Sequence, residues 1–488
     1  MPERPEVQSM SFGSETLARL LFGGGDVDCP EMELGRPSHE NPRVFKGPGY
    51  IRRVDNGGIV FKIYPEARPA GLYPGDGRHS ETKAGQIIGR KSYYQLKVKV
   101  HGGQVWTADF ILPGFSMDGS SVIVHGDIRE LRASNAEGYS SDRSYLRMLF
   151  LDAVEIPCNA VTETRTTRAG KDPGFPGQSL DLAEFSSCGF NFLLHSKSES
   201  LTVEVDSEAP MPPHLESRVL ESLQFVLART LQCRVSERMA GPDCSIRVTP
   251  VRTASAGTRT LPPLHPRTLE ACGRPDPAWK MFDKYLRFVL PHYGPDWHPC
   301  SIRVNDAREA SVNAMDARAL GITVAVEGLV NLAYSGVGRT SDAHKKAVEQ
   351  LRKYVTEWPG FPDGEVGASL RARLPGLMGQ LNNVGAGKRL EGLADTGVVE
   401  RRLVHAWKKL RHPAAHSETP DPGKRQELAD HVHAAGVLLN QLVFGAIGYE
   451  GPYSDYSTHD FPVRNYPPGR PGGAAEGVAP AGPAVVGD

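Results

Sequence analysis

The segment Trp407–Glu418, WKKLRHPAAHSE, sets Arg411 and His416 five positions apart beside Lys408 and Lys409. A guanidinium can clamp a phosphodiester through two parallel hydrogen bonds, and an imidazole can take or give a proton near neutral pH. Such a pair suits RNA as substrate, because RNA carries the neighbouring 2′-hydroxyl that a base could activate. Spacing alone decides little. Arg-to-His intervals of five or six recur at Arg259/His265, Arg287/His292, Arg339/His344 and Arg425/His431.

Context separates these candidates. Arg259/His265 falls in a Pro-rich linker, and Arg287/His292 runs into Pro291 and a Tyr-Gly turn. Arg339/His344 follows a Gly-rich break, and Arg425/His431 occupies the exposed start of a helix. Arg411 instead follows a helix anchored by Leu403, Trp407 and Leu410, with Pro413 just beyond it. In an unbroken helix, residues five apart point about 140° away from each other. A break at Pro413 is therefore expected to let the two side chains converge. Arg401, Arg402, Lys408, Lys409, Lys424 and Arg425 add positive charge around them. The alternative is a solvated helix face closed by a Pro/Ala turn, and the pattern leaves both readings open.

Other motifs fail on chemistry. Val384–Arg389, VGAGKR, has Asn382 where a phosphate loop needs its first Gly, and Arg389 where it needs a magnesium-holding hydroxyl. His431 and His433, two apart on a helix, face different sides and form no metal pair. In Gly114–Gly119, GFSMDG, the second Gly comes one residue too late for a nucleophile elbow.

The elements that must position Arg411 lie in the second part of the chain. Helical stripes are expected over Trp279–Leu290, Ala310–Tyr334, His344–Trp358, Val366–Val384 with a kink at Pro375, Leu390–Arg411, and about Lys424–Ile447. Stripes of this kind bury themselves against one another, which predicts a bundle. Before residue 265 the pattern is different. Tyr93–Val100 alternates apolar and polar residues, and Gly102-Gly103 leads into Val105–Leu112, the signature of a hairpin. Ser121–His125, Asn191–His195 and Leu201–Val205 read as further strands, and one helix interrupts them from about His214 to Leu231. The fold class expected is α+β: a β-rich domain over residues 30–255, with a sandwich and an α/β appendage as its form, followed by a helical bundle over residues 270–466. Residues 1–29 form a leading segment, residues 256–269 a linker, and the low-complexity residues 467–488 an expected disordered tail.

Bulk properties narrow the classes. A chain of 488 residues holds two or three domains. Its net charge of −1 means that any polyanion must be met by a local patch. Seven scattered cysteines without a CxxC pair predict reduced thiols and no zinc site. The N-terminus lacks a signal-peptide pattern and no stretch is long and apolar enough to span a bilayer, so a soluble, cytoplasmic protein is expected.

With the motif and its bundle in view, LRHPAAHSE resembles the HEPN superfamily, whose ribonuclease members carry Arg, a polar residue, a short spacer and His. His412 fills the polar slot. The predicted long helix with Glu327 at the edge of its apolar face looks like the first bundle helix of that family. The ending Gly448–Pro462, GYEGPYSDYSTHDFP, is similar to the tail of the ApeA-like branch of bacterial anti-phage proteins, and the β-rich half resembles that branch's amino-terminal domain. The match covers roughly residues 270–465, with Pro413 as a departure. The resemblance implies a metal-independent homodimeric endoribonuclease without cofactors, cleaving RNA by 2′-hydroxyl attack in abortive infection, with a phage-derived trigger. It implies Arg411 on the phosphate, His416 in proton transfer, His412, Lys408 and Lys409 on the RNA, and Glu327 either orienting Arg411 or serving as a structural carboxylate. The β-rich half would sense or dock. The alternative is a non-catalytic HEPN-type module binding RNA, nucleotide or a protein.

Overall fold

A computed structural model describes residues 15–22, 25–36, 43–66, 87–118, 121–134, 143–164, 177–240, 243–250, 260–265, 269, 276–338, 341–362, 364–382, 384–416 and 424–468. Arg259, Arg339 and the expected disordered tail from residue 469 onward lie outside them. The chain divides into two compact units, residues 1–216 with 230–257, and residues 217–229 with 258–488.

The first unit is antiparallel β-structure preceded by helix α1 (Glu15–Phe22). Its strands are β1 (Val27–Gly35), β2 (Phe45–Arg53), β3 (Ile59–Ile63), β4 (Tyr94–Lys99), β5 (Val105–Ile111), β6 (Gly114–Asp118), β7 (Ser121–Ile128) and β8 (Leu131–Ser134). They continue as β9 (Ser144–Phe150), β10 (Ala160–Thr164), β11 (Gly177–Ser187), β12 (Phe190–Lys197), β13 (Ser200–Ser207), β14 (Cys233–Ala240) and β15 (Asp243–Val248). The expected hairpin forms as β4–β5: Tyr94, Leu96 and Val98 face inward, and Val98 lies opposite Trp106. Gly102 and Gly103 both take positive φ at its turn, which a side chain would resist.

Where a sandwich with an α/β appendage was expected, the strands pair in one hydrogen-bonded ladder in the order β10-β11-β12-β13-β9-β14-β15-β8-β5-β4-β1-β2-β3-β7-β6. β15 joins its two parts by pairing with β8, with Ser245 opposite Ser134 and Val248 opposite Leu131. The buried faces of α1 and β1–β5, with β7 and β8, share one core that includes Leu34, Phe61, Trp106 and Val235. Each large buried side chain of this kind contributes about 1.5–3 kcal/mol by leaving water.

The second unit is helical. Its elements are α3 (Asp276–Val289), α4 (Pro299–Ala310), α5 (Met315–Ala333), α6 (Asp342–Glu357), α7 (Glu365–Gln380), α8 (Ala386–Asp395), α9 (Arg401–His416) and α10 (Arg425–Ile447), closed by the hairpin β16 (Gly451–Ser454) and β17 (Val463–Tyr466). The helix α2 (Leu215–Leu227), expected within the β-rich domain, belongs from Ser217 onward to this unit. Its packing explains why: Phe225 stacks on Tyr285 with ring centres 4.7 Å apart, and Gln224 accepts a 2.6 Å hydrogen bond from Arg308.

The helix expected from Ala310 forms as α5, beginning at Met315, and its Gly321 lets it lie against Ala310 at the end of α4, where a Cβ would collide. The stretch from Leu390 is broken between α8 and α9 by a turn with Gly397 at positive φ. The expected kink at Pro375 falls within α7, which is assigned as one helix over Glu365–Gln380. The ring of Phe444 on α10 lies 5.0 Å from Tyr449, 5.9 Å from Tyr453 and 5.4 Å from Tyr466, an aromatic core beneath the hairpin. Among the described residues no helix is long and apolar enough to cross a membrane, and no disulfide joins Cys29, Cys158, Cys188, Cys233, Cys244 or Cys300.

Candidate functional site

Helix α9 presents Arg411 against α5. The buried Trp407, one turn earlier, is the anchor: it is 1% exposed and its indole N–H donates to the Thr323 carbonyl of α5 at 3.3 Å. The Arg411 guanidinium lies 5.7 Å above the Trp407 ring. It donates from Nε to Glu327 Oε2 at 3.0 Å and from Nη2 to Glu327 Oε1 at 3.4 Å. This two-point grip, together with the ring beneath it, restricts the guanidinium to one orientation at the surface. Both charged side chains keep contact with water, at 53% and 37% exposure. A phosphate could therefore displace the carboxylate at low cost, because exposed ion pairs are worth only about 0–1 kcal/mol.

The start of α9 is fixed more firmly. The Glu400 N–H donates to Gln441 Oε1 at 3.0 Å, while the Glu400 carboxylate accepts from Gln441 Nε2 and from Tyr453 Oη, both at 2.9 Å. Arg402 and Arg464 each reach the fully buried Asp455 at 2.7 Å. Burial pushes the Asp455 carboxyl up, but hydrogen bonds from Ser457 and Thr458 and the charge of Arg402 outweigh it and leave it below the usual range. The ending GYEGPYSDYSTHDFP is thus a clamp on the root of α9.

The break expected at Pro413 does not form. The backbone of α9 continues as helix to His416, so Arg411 and His416 leave the same helix about 140° apart. The side chains of His412 and His416 lie outside the described residues. Proline at this position removes the backbone N–H that would bond to the Lys409 carbonyl, yet the backbone stays helical through it. Within one copy, then, α9 does not bring the two predicted catalytic positions onto one face.

The basic surroundings are largely paired. Lys408 contacts Glu391, Lys409 lies 4.0 Å from Glu427, Arg401 contacts Asp395, and Arg402 binds Glu400 and Asp455. The expected patch is thus a set of ion pairs. Of the look-alike pairs, Arg287 is bound to Asp283 at 2.9 Å, and His344 faces the Leu381 carbonyl at 3.2 Å. The first glycine of VGAGKR, Gly385, caps α8 after the turn that follows α7, and GFSMD is strand β6.

One residue escaped the sequence reading. In the continuous helix, positions 405, 409, 412 and 416 fall within about 60° of one another. His405 is exposed on that face, and His405 and Lys409 act on His431 of α10. Burial first holds the His431 imidazole below its ordinary value; Glu427 and Asp430 oppose it, and Lys409 and His405 add to the lowering. The seven-residue interval from His405 to His412 was the available signal. His431 and His433 have different neighbours, and no cluster of metal-ligating side chains occurs among the described residues. Comparison with family models, curated proteins and solved structures finds no match to this chain.

Proposed function

We propose that the chain is a metal-independent endoribonuclease of HEPN type, acting as a homodimer in the cytoplasm as the effector of an anti-phage response. The observation that carries this reading is the grip of Glu327 on Arg411, which holds a guanidinium ready at the surface of two packed helices. The 140° divergence of Arg411 from His416 adds a requirement. One copy lacks a convergent set, so the second copy must complete it.

The chemistry then divides among paired residues. One His416 takes the proton of the 2′-hydroxyl as its oxygen attacks phosphorus. The second copy's His416 protonates the departing 5′-oxygen, leaving a 2′,3′-cyclic phosphate and a free 5′-hydroxyl. Arg411 leaves Glu327 to neutralise the phosphorane. His412, Lys408 and Lys409 hold the flanking backbone. An apolar strip on α5 suits the meeting of two copies: Leu320 and Val324 are 48% and 53% exposed, two turns and one turn before Glu327. The β-rich unit would receive the trigger.

A second reading, a non-catalytic HEPN-type module, draws on the pairing of Lys408, Lys409, Arg401 and Arg402 with carboxylates. Purified protein incubated with total RNA in EDTA, beside His416→Ala, separates the two. Cleavage by wild type alone supports the enzyme, and RNA retained uncut by both supports the module.

A further inference from the structure

Within the helical unit lies a cavity of about 80 Å³ between α2, α4, α5 and α10, remote in sequence from Arg411 and His416. A water needs roughly 10–15 Å³ of such space, so several waters or one tetrahedral oxyanion fit. Its wall carries Arg308, Arg318 and His433, with Asn440 beside them, and among the described residues no aspartate or glutamate lines it. That balance is unusual, because a buried cation is ordinarily matched by a carboxylate.

Arg308 is held by neutral groups. Arg308 is 5% exposed, and its Nη1 donates to Gln224 Oε1 at 2.6 Å and to the Arg229 carbonyl at 3.0 Å. The Nε of Arg318 is buried without a hydrogen bond. Burial lowers the Arg308 pKa to about 10 and lowers that of Arg318 as well. His433 is held low by burial first and by the Arg318 charge second, with Asp430 opposing from its own helix. Glu309 acts on Arg308 from outside the wall. The remaining polar lining groups are turned to the backbone: Thr260 to Ala228, Ser311 to Ala307 and Tyr456 to Pro262. Phe225, Ile322, Val432 and Val437 complete an apolar wall that strengthens any charge pairing inside.

We propose that this cavity is a binding site for a small dianionic oxyanion of the phosphate class, held between Arg308 and Arg318 with His433 and Asn440 beside them. Two guanidiniums without a lining carboxylate call for two negative charges, which favours a phosphate over a monocarboxylate, and the planar fork of arginine matches its oxygens. The site shares no residue with the ribonuclease reading and stands independently of it.

The test is isothermal titration of the full chain with inorganic phosphate at pH 7, with ionic strength held constant by chloride, and with acetate as a second arm. Wild type is expected to bind phosphate saturably at one site and acetate at least about 10-fold more weakly, the gap expected for a lost charge-assisted contact. Arg318→Met, which keeps the bulk of the side chain, should weaken phosphate about 10-fold or more, and His433→Gln should weaken it by a smaller factor. Circular dichroism verifies that each variant is folded. If Arg318→Met does not fold, His433→Gln and the acetate arm carry the test. Absence of saturable phosphate binding by wild type, equal binding by a folded Arg318→Met, or acetate binding as tight as phosphate overturns the proposal.

Discussion

Arg411→Ala separates what the guanidinium does for the fold from what it does for RNA. Its structural contacts are the exposed pair with Glu327 at 3.0 Å and the Trp407 ring at 5.7 Å. The first is worth about 0.2–1 kcal/mol and the second, near the outer limit of a cation–π contact, about 0.5–1 kcal/mol. The expected loss of stability is thus at most about 2 kcal/mol, and the shift in Tm no more than about 8 °C. The effect on cleavage should be larger, about 10²-fold or about 2.7 kcal/mol of transition-state stabilisation, because the charge acts on a developing dianion. Arg411→Lys should restore little, since a point charge lacks the fork that spans two phosphate oxygens. Glu327→Gln should leave stability within about 1 kcal/mol. If the carboxylate aims the guanidinium, cleavage by Glu327→Gln should fall about 10-fold. The assay is single-turnover cleavage of an end-labelled RNA in EDTA, with thermal melts of the same preparations by circular dichroism. Cleavage by Arg411→Ala within twofold of an active wild type would refute the role given to this residue.

Three further expectations follow from the same contacts. Leu320→Glu with Val324→Glu should convert a dimer to a monomer by sedimentation velocity and abolish cleavage; a dimer that persists and cleaves rules out this α5 strip as the interface. Asp455→Asn should cost about 1.5–3 kcal/mol by weakening its bonds to Arg402 and Arg464, and wild type should lose the same contribution as pH falls below the usual carboxylate range, since the depressed Asp455 stabilises only while ionised. His298 accepts the Cys300 N–H at 3.2 Å as the cap of α4, and burial first, then His292 and Arg218, lower its pKa to about 4. A lowered imidazole stabilises the fold above 6.5 and loses that contribution between 6.5 and 4, so chemical denaturation over this interval should show falling stability that His298→Asn flattens.

How much of this was legible in the sequence varied with the kind of interaction. Strict alternation and a Gly-Gly turn made β4–β5 readable, because hairpin register depends on neighbours in the chain. The α+β division was readable for the same reason. The joining of β15 to β8 was not, since it pairs residues more than a hundred positions apart. Helix α4 was missed because it buries Cys300, Ser301, Ala307 and Arg308, a mixture of small and polar residues with no stripe of large apolar ones. The apolar rhythm of α9 pointed correctly to the anchor Trp407, and the position of Glu327 at a helix edge matches its place beside Arg411. Pro413 misled: proline's local preference predicted a break, yet the helix continues to His416. The cavity at Arg318 was invisible because its wall is drawn from several distant segments.

The central claim, that this chain cleaves RNA through Arg411 and His416, is tested most directly by one comparison. Wild type and His416→Ala are incubated with the same RNA in EDTA, and the product ends are identified. The account predicts wild-type cleavage leaving 2′,3′-cyclic phosphate ends, a fall of about 10²-fold or more in His416→Ala, and an uncut DNA control. Wild-type rates in His416→Ala, or a wild-type activity that EDTA abolishes, would contradict it.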